Sequence, residues 1–204
     1  MIVSPCVALC RPGGSVTYTV SPNFDWVPES VRDLVSEDVF HIVTAVNVNS
    51  RRDLKNPRYL SINPERNDQV WEHIAKLRDI RTICMNDGEV APESFREIAK
   101  LHRLRDILFT RVALTDAATK NLESLSELRS VELYESGLSD ESIGVFARMD
   151  SLQRLVLTGC QLSDQALEVI SSSDSITELS FADSTREITD EGAAAIAKMP
   201  RLKL

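Results

Sequence analysis

An α/β solenoid, built from units of one strand and one helix with the strands side by side in a parallel sheet, follows from three features of the 204-residue chain. Aliphatic residues return every 24 positions, at Ile80, Leu104, Leu128, Leu152 and Ile176. Within each unit the apolar spacing changes. Three and five residues after each start stand Ile83 and Met85, Ile107 and Phe109, Val131 and Leu133, Leu155 and Leu157, Leu179 and Phe181, the alternation of a strand. Fifteen and eighteen residues after it stand Phe95 and Ile98, Thr119 and Leu122, Ile143 and Phe146, Leu167 and Ile170, the spacing of one helix face. Between the two patterns lie Thr115-Asp116, Ser139-Asp140, Ser163-Asp164 and Thr189-Asp190. A Ser or Thr hydroxyl there accepts a bond from a free amide of the first helical turn. The acid beside it meets the positive end of the helix. The unit starting at Ile80 uses Pro92 instead, which suits the first helical position.

In chain order, residues 1–14 form an N-terminal tail. Their apolar run is short, contains Pro5 and has no basic residue before it, so it makes a poor signal peptide. Residues 15–55 are assigned to an N-terminal cap, because a solenoid must cover the outer side of its first unit. This cap should hold a strand over 14–20, a helix over 29–39 burying Val31, Leu34 and Val35, and a strand over 41–48. Residues 56–204 are the repeats. Their first unit is degenerate. Trp71, Ile74 and Leu77 keep the helix spacing, while the strand is displaced by one residue to Leu60 and Ile62. Four full units follow. The unit starting at Ile176 gains two residues between Ala182 and Glu187, so Ile188 comes late. Leu202 starts another unit and, with Lys203 and Leu204, is expected to add a short strand. No capping sequence follows it. This end is therefore expected either to belong to a longer chain or to pack on another molecule, a second copy included.

The pattern L-x-x-L-x-L, a small-residue turn and L-(S/T)-D is clearest in Leu128, Val131, Leu133, Gly137, Leu138, Ser139 and Asp140. It returns in Leu152, Leu155, Leu157, Gly159, Cys160, Leu162, Ser163 and Asp164. It resembles the leucine-rich repeats, over residues 56–204 in about six units with the last incomplete. It is similar to bacterial members with L-(S/T)-D at the helix start, and to the cysteine-containing, ribonuclease-inhibitor-like repeats of F-box substrate adaptors. The resemblance implies a curved parallel sheet on the concave side and helices on the convex side. It also places Cys160 at the asparagine-or-cysteine position of the turn, where it reads as a small buried group. The other units have Gly88, Val112, Ser136 and Ser184 there, so an asparagine ladder is absent. Residues 13–32 also look like the segment before the repeats in some bacterial members, where a membrane span often lies upstream. No stretch of these residues is long and apolar enough for one.

Composition narrows the function. Aromatic residues are 5% of the chain, so the core is aliphatic. The net charge is −8, and residues 104–204 hold 10 Lys and Arg against 17 Asp and Glu, which disfavours a nucleic-acid partner. Cys6, Cys10, Cys84 and Cys160 form neither a disulfide framework nor a zinc-type pair, which favours a reducing, cytoplasmic setting. His41, His73 and His102 fall out of phase with one another and make no metal column. No nucleophile elbow, Walker loop or dinucleotide loop is present, and Gly13-Gly14 reads as the start of a strand. No enzymatic activity, metal or cofactor is expected.

The remaining candidate is the open face of the sheet. Alternate strand positions form three columns there. The first is Thr82, Asp106, Ser130, Arg154 and Glu178, and the second Cys84, Leu108, Glu132, Val156 and Ser180. The third is Asn86, Thr110, Tyr134, Thr158 and Ala182. Leu108, Glu132, Tyr134, Arg154, Val156 and Thr158 are the expected partner-binding residues, since aromatic and arginine side chains are typical interface anchors. Arg51, Arg52, Lys55, Arg58 and Arg66 form a basic patch for an acidic partner or lipid headgroups, or a solvated loop, as Asp53 and Glu65 interleave it. Glu123, Arg148 and Glu168 lie on the outward helix faces. The expected function is a non-catalytic module binding a protein or peptide through the concave sheet face. The alternatives are an adaptor of F-box type, although no F-box helical segment is visible in residues 1–55, or a regulatory or sensor subunit of a larger enzymatic or membrane-linked assembly.

Overall fold

The 24-residue period of the sequence becomes the register of a sheet. The computed structural model describes residues 16–19, 43–48, 59–62, 71, 74–75, 80–160, 162–183 and 188–203. The strands are β1 (Val16–Thr19), β2 (Val43–Val48), β3 (Tyr59–Ile62), β4 (Thr82–Glu89), β5 (Asp106–Ala113), β6 (Ser130–Tyr134), β7 (Arg154–Thr158) and β8 (Glu178–Ala182). They form one sheet in sequence order. β1, β2 and β3 pair antiparallel, and every pair from β3 to β8 is parallel. Ile83, Ile107, Val131, Leu155 and Leu179 stand side by side. β3 joins one residue out of phase, with Leu60 opposite Ile83, as the displaced strand of the first unit requires.

Among the described residues five helices follow β4 to β8, and the first four return the chain to the next strand: α1 (Pro92–Ile98), α2 (Asp116–Leu122), α3 (Asp140–Ala147), α4 (Asp164–Ser171) and α5 (Asp190–Ile196). Between β3 and β4, Trp71 and Ile74 are helical and buried, and the Ala75 amide donates to the Trp71 carbonyl at 2.9 Å. Both apolar sets point into the layer between strands and helices. Ile83, Met85, Phe95, Ile98, Phe109, Leu122, Leu133, Phe146, Leu157 and Leu167 belong to one continuous buried cluster. Phe95 and Phe109 meet edge to face, with centroids 6.2 Å apart. In the unit of β8 the equivalent side chains, Leu179, Phe181 and Ile188, are partly buried.

Polar groups tie one unit to the next. The Arg81 carbonyl accepts from the amides of Arg105 (2.7 Å) and Asp106 (2.9 Å), and Arg105, Arg129 and Gln153 repeat this toward β6, β7 and β8. The four Ser/Thr-Asp pairs do more than cap. The hydroxyls of Thr115, Ser139 and Ser163 each accept a helix amide at 3.2 Å, as that of Thr189 does from Glu191. Ser139 also donates to Asp116, Ser163 to Asp140 at 2.7 Å, and Thr189 to Asp164 at 2.6 Å. Asp116, Asp140 and Asp164 thus each hold the cap of the following helix. Thr119, polar in a core column, is fully buried and bonds Ser142 at 3.2 Å and the Thr115 carbonyl at 3.1 Å.

The structure departs from the expected pattern at two places. β4 and β5 run three residues past the expected strand. Their ladder skips the Asp87 and Arg111 level, where Arg111 turns left-handed (φ 53°), and resumes at Gly88 and Val112. In the unit of β6 a second left-handed residue, Gly137, turns the chain away instead. Leu202 and Lys203 form no strand, but the Lys203 amide donates to the Thr177 carbonyl at 2.8 Å and so keeps the phase of the stack. The tail over 1–14, the helix over 29–39, the basic patch, Leu77, Cys6, Cys10, His41 and His73 lie outside the described residues.

Candidate functional site

The parallel register carries the three face columns onto five adjacent strands, and neighbouring side chains on such a surface touch. Cys84 and Leu108 lie side by side and form a small buried cluster of their own, with Tyr134 packed on it. Leu108 is 7% exposed and Val156 is 5% exposed, so these two expected binding residues are buried. For Leu108 the reason is Tyr134, whose ring lies on the cluster; Val156 stands in register beside Glu132 and between the paired Leu155 and Leu157 levels.

A polar network crosses the same face. The Tyr134 hydroxyl donates to Glu132 at 3.1 Å. Arg154 bridges two strands, with its Nε 3.0 Å from Glu132 and one terminal nitrogen 2.7 Å from Glu178. Burial, reinforced by the Glu132 charge, raises the Tyr134 phenol above its ordinary range. The bond to Glu178 does most to hold Arg154 in its charged form. Asp106 accepts the Thr82 hydroxyl at 3.0 Å. Burial pushes its carboxyl above the usual range, against the lowering effects of Thr82, Arg105 and Arg129.

These groups line a groove of about 750 Å³. Of the expected binding residues, Leu108, Glu132, Tyr134 and Arg154 are brought together on its walls, and Val156 and Thr158 are not. Thr158 is half-buried, and its carbonyl accepts the Glu135 amide at 2.8 Å. The groove also includes Asp106, Arg129 and Lys203. Asp106 stood in a face column without being singled out. Arg129 and Lys203 sit one residue before the strand positions, where alternation alone assigns them to an edge.

The arrangement can position and recognise a ligand. Among the described residues no group of three or more His, Cys, Asp or Glu could hold a metal ion. Cys160 sits under its turn, with its sulfur 3.7 Å from the Thr158 carbonyl and 4.0 Å from that of Leu133, and burial raises its thiol. Among the described residues no helix is long and apolar enough to cross a membrane.

No protein family's sequence profile matches the chain, and no curated protein matches it. Among solved structures it is similar to an internalin (inlF) from Listeria monocytogenes strain 4b F2365, at 17% identity with a TM-score of 0.39. The similarity covers 65% of this chain and 49% of that one, so the chain spans about half the length of the structure it matches. The strand-and-helix repeat along the parallel part of the sheet, from β3 to β8, is of leucine-rich-repeat-like pattern.

Proposed function

We propose that this chain is a non-catalytic interaction module that binds a protein or peptide through the open face of its sheet. The observation that carries the reading is the groove in which Tyr134, Glu132 and Arg154 are locked into one network above Cys84 and Leu108. Ordering these side chains before binding lowers the entropy lost on association. Their column can vary without disturbing the buried columns behind it. The finer assignment, a curved repeat of the bacterial type with residues 15–55 as its cap, rests on the L-(S/T)-D helix starts and on the antiparallel β1 and β2 at the head of the sheet. A reducing compartment is the reading favoured by Cys84 and Cys160, both buried in the fold.

The test is cross-linking of the intact chain to its partner, with Tyr134→Ala and the folded state checked by melting. We expect Tyr134→Ala to weaken binding at least tenfold while melting shows the variant still folded at the assay temperature. Equal binding by the intact chain and the variant would falsify the reading. Leu108→Ser is the poorer probe, because Leu108 is buried and its loss also acts on stability.

A further inference from the structure

The outer side of the β8 unit is an open edge, and we infer that it seats the same edge of a second copy of this chain, in a two-fold dimer that joins β8 to β8 antiparallel. This surface lies at the end of the stack, and the inference does not depend on the interaction-face reading. One unit inward, Leu155, Leu157, Leu167, Ile170 and Ile176 are fully buried. Their equivalents in the β8 unit are not. Leu179, Phe181, Ile196 and Leu202 are half-buried, and Ala193 is exposed. The backbone is open as well. β8 ends the sheet and pairs with β7 alone. The Glu178 amide donates to the Gln153 carbonyl, and the Ala182 carbonyl accepts the Gly159 amide, so these residues bond toward β7. Alternation along the strand then turns the amides and carbonyls of Leu179 and Phe181 outward. The Lys203 amide occupies the Thr177 carbonyl, ahead of the strand, and no described residue pairs with Leu179 or Phe181 on this side. β8 has no proline, lysine or inward charge to blunt the edge.

Charge points to a second copy as the occupant. From Leu179 to Lys203 the described charges divide by end. Asp183, Asp190 and Glu191 stand where the strand ends and α5 starts, and Lys198, Arg201 and Lys203 where α5 ends and the next strand level begins. None of the six is ion-paired with a described residue, and all are exposed. A parallel neighbour of the same chain would set acid against acid and base against base. An antiparallel copy reverses the order, so the acidic end of each meets the basic end of the other. The same rotation lays α5 antiparallel to α5 of the second copy, with opposite dipole ends adjacent. Centred on Ser180, the pairing puts Leu179 of one copy opposite Phe181 of the other, and their outward amides and carbonyls exchange bonds as a hydrogen-bonded antiparallel pair does. A two-fold contact needs a surface complementary to itself, and this edge meets that condition in charge, apolar side chains and backbone. Glu178 is not needed for it, since Arg154 already holds its carboxylate.

Sedimentation of the full chain across the micromolar range tests the proposal. We expect a monomer–dimer equilibrium that stops at the dimer and weakens with added salt. Lys198→Glu with Arg201→Glu should raise the dissociation constant at least tenfold, and so should Asp183→Lys with Glu191→Lys, because each sets like charges against one another across the axis. Native mass spectrometry of the two variants mixed should recover a mixed dimer, a rescue that loss of folding could not give. Glu168→Lys, which reverses an exposed acid on α4, should leave dimerisation unchanged. Amide exchange needs no variant, since protection of the Leu179 and Phe181 amides should rise with concentration. A chain that stays monomeric, growth beyond the dimer as a head-to-tail contact gives, or a dimer that survives both charge reversals overturns the inference. So do folded variants that fail to pair when mixed, and Leu179 and Phe181 protection that stays flat as the dimer forms.

Discussion

Seven residues after their starts, the four units beginning at Leu104, Leu128, Leu152 and Ile176 each place a residue with positive φ: Arg111 (53°), Glu135 (52°), Gly159 (67°) and Asp183 (52°). The left-handed region costs a residue with a Cβ roughly 1–2 kcal/mol, so this column carries strain wherever glycine is missing. Gly159→Ala should destabilise by about 1 kcal/mol or more, since its new Cβ would also sit 3.0 Å from the Glu135 side chain. Glu135→Gly should be neutral or stabilise by up to about 1 kcal/mol. Denaturant titration of the pair reads both signs. Cys84 and Cys160 are fully buried, and the Cys160 thiol is raised by that burial. Mass-mapped alkylation at neutral pH should therefore spare both cysteines in the native chain and label them in urea.

At the scale of the element, the helix caps were legible as caps, and their second bond was not. Sequence shows Ser or Thr beside Asp, but only the stacking brings Asp116 to Ser139, Asp140 to Ser163 and Asp164 to Thr189. Ser139→Ala removes a cap and a link between units, and should cost about 1–2 kcal/mol. The hydroxyls of Ser139 and Ser142 hold the Asp116 carboxyl below its ordinary range, and Thr189 does the same for Asp164. A carboxylate depressed in the folded state contributes stability above its unfolded pKa, and that contribution fades as pH falls through the folded value. The stability gap between the native chain and Asp116→Asn should accordingly be full at neutral pH and close on acidification below about pH 4. Asp106 has the opposite sign. Its raised pKa means that ionisation opposes folding as pH rises through the carboxylate range, so Asp106→Asn should remain folded at neutral pH. A gap for Asp116→Asn that is constant from pH 7 to pH 3 would contradict the role of the link.

At the scale of the whole molecule, each unit leans on its neighbours, as in a one-dimensional stack. Leu133 and Leu157 lie in the middle of that stack, 1% and 0% exposed. Truncation of either to Ala should cost about 2–5 kcal/mol. Phe181 occupies the same column in β8 and is only half-buried, so Phe181→Ala should cost less than either, despite the larger side chain removed. Amide exchange should follow the same gradient, with β8 and α5 opening before β6 and β7. Uniform protection along the described units would show that the stack opens as one body.

The sequence by itself determined the period, the strand and helix of each unit, and the core columns, because burial repeats with the backbone's own periodicity and each such signal is local. It also placed Leu108, Glu132, Tyr134 and Arg154 on one face. The low aromatic content has the same origin, since one strand and one helix leave a thin aliphatic layer that Phe95, Phe109, Phe146 and Phe181 enter singly. What only the tertiary structure decided is how neighbours 22 to 26 residues apart meet. Tyr134 covers Leu108, Arg154 joins Glu132 to Glu178, and Asp106 accepts the Thr82 hydroxyl with Arg105 and Arg129 acting on it from the strand starts. Side-chain reach across strands sets those contacts, and alternation along a single strand cannot express them.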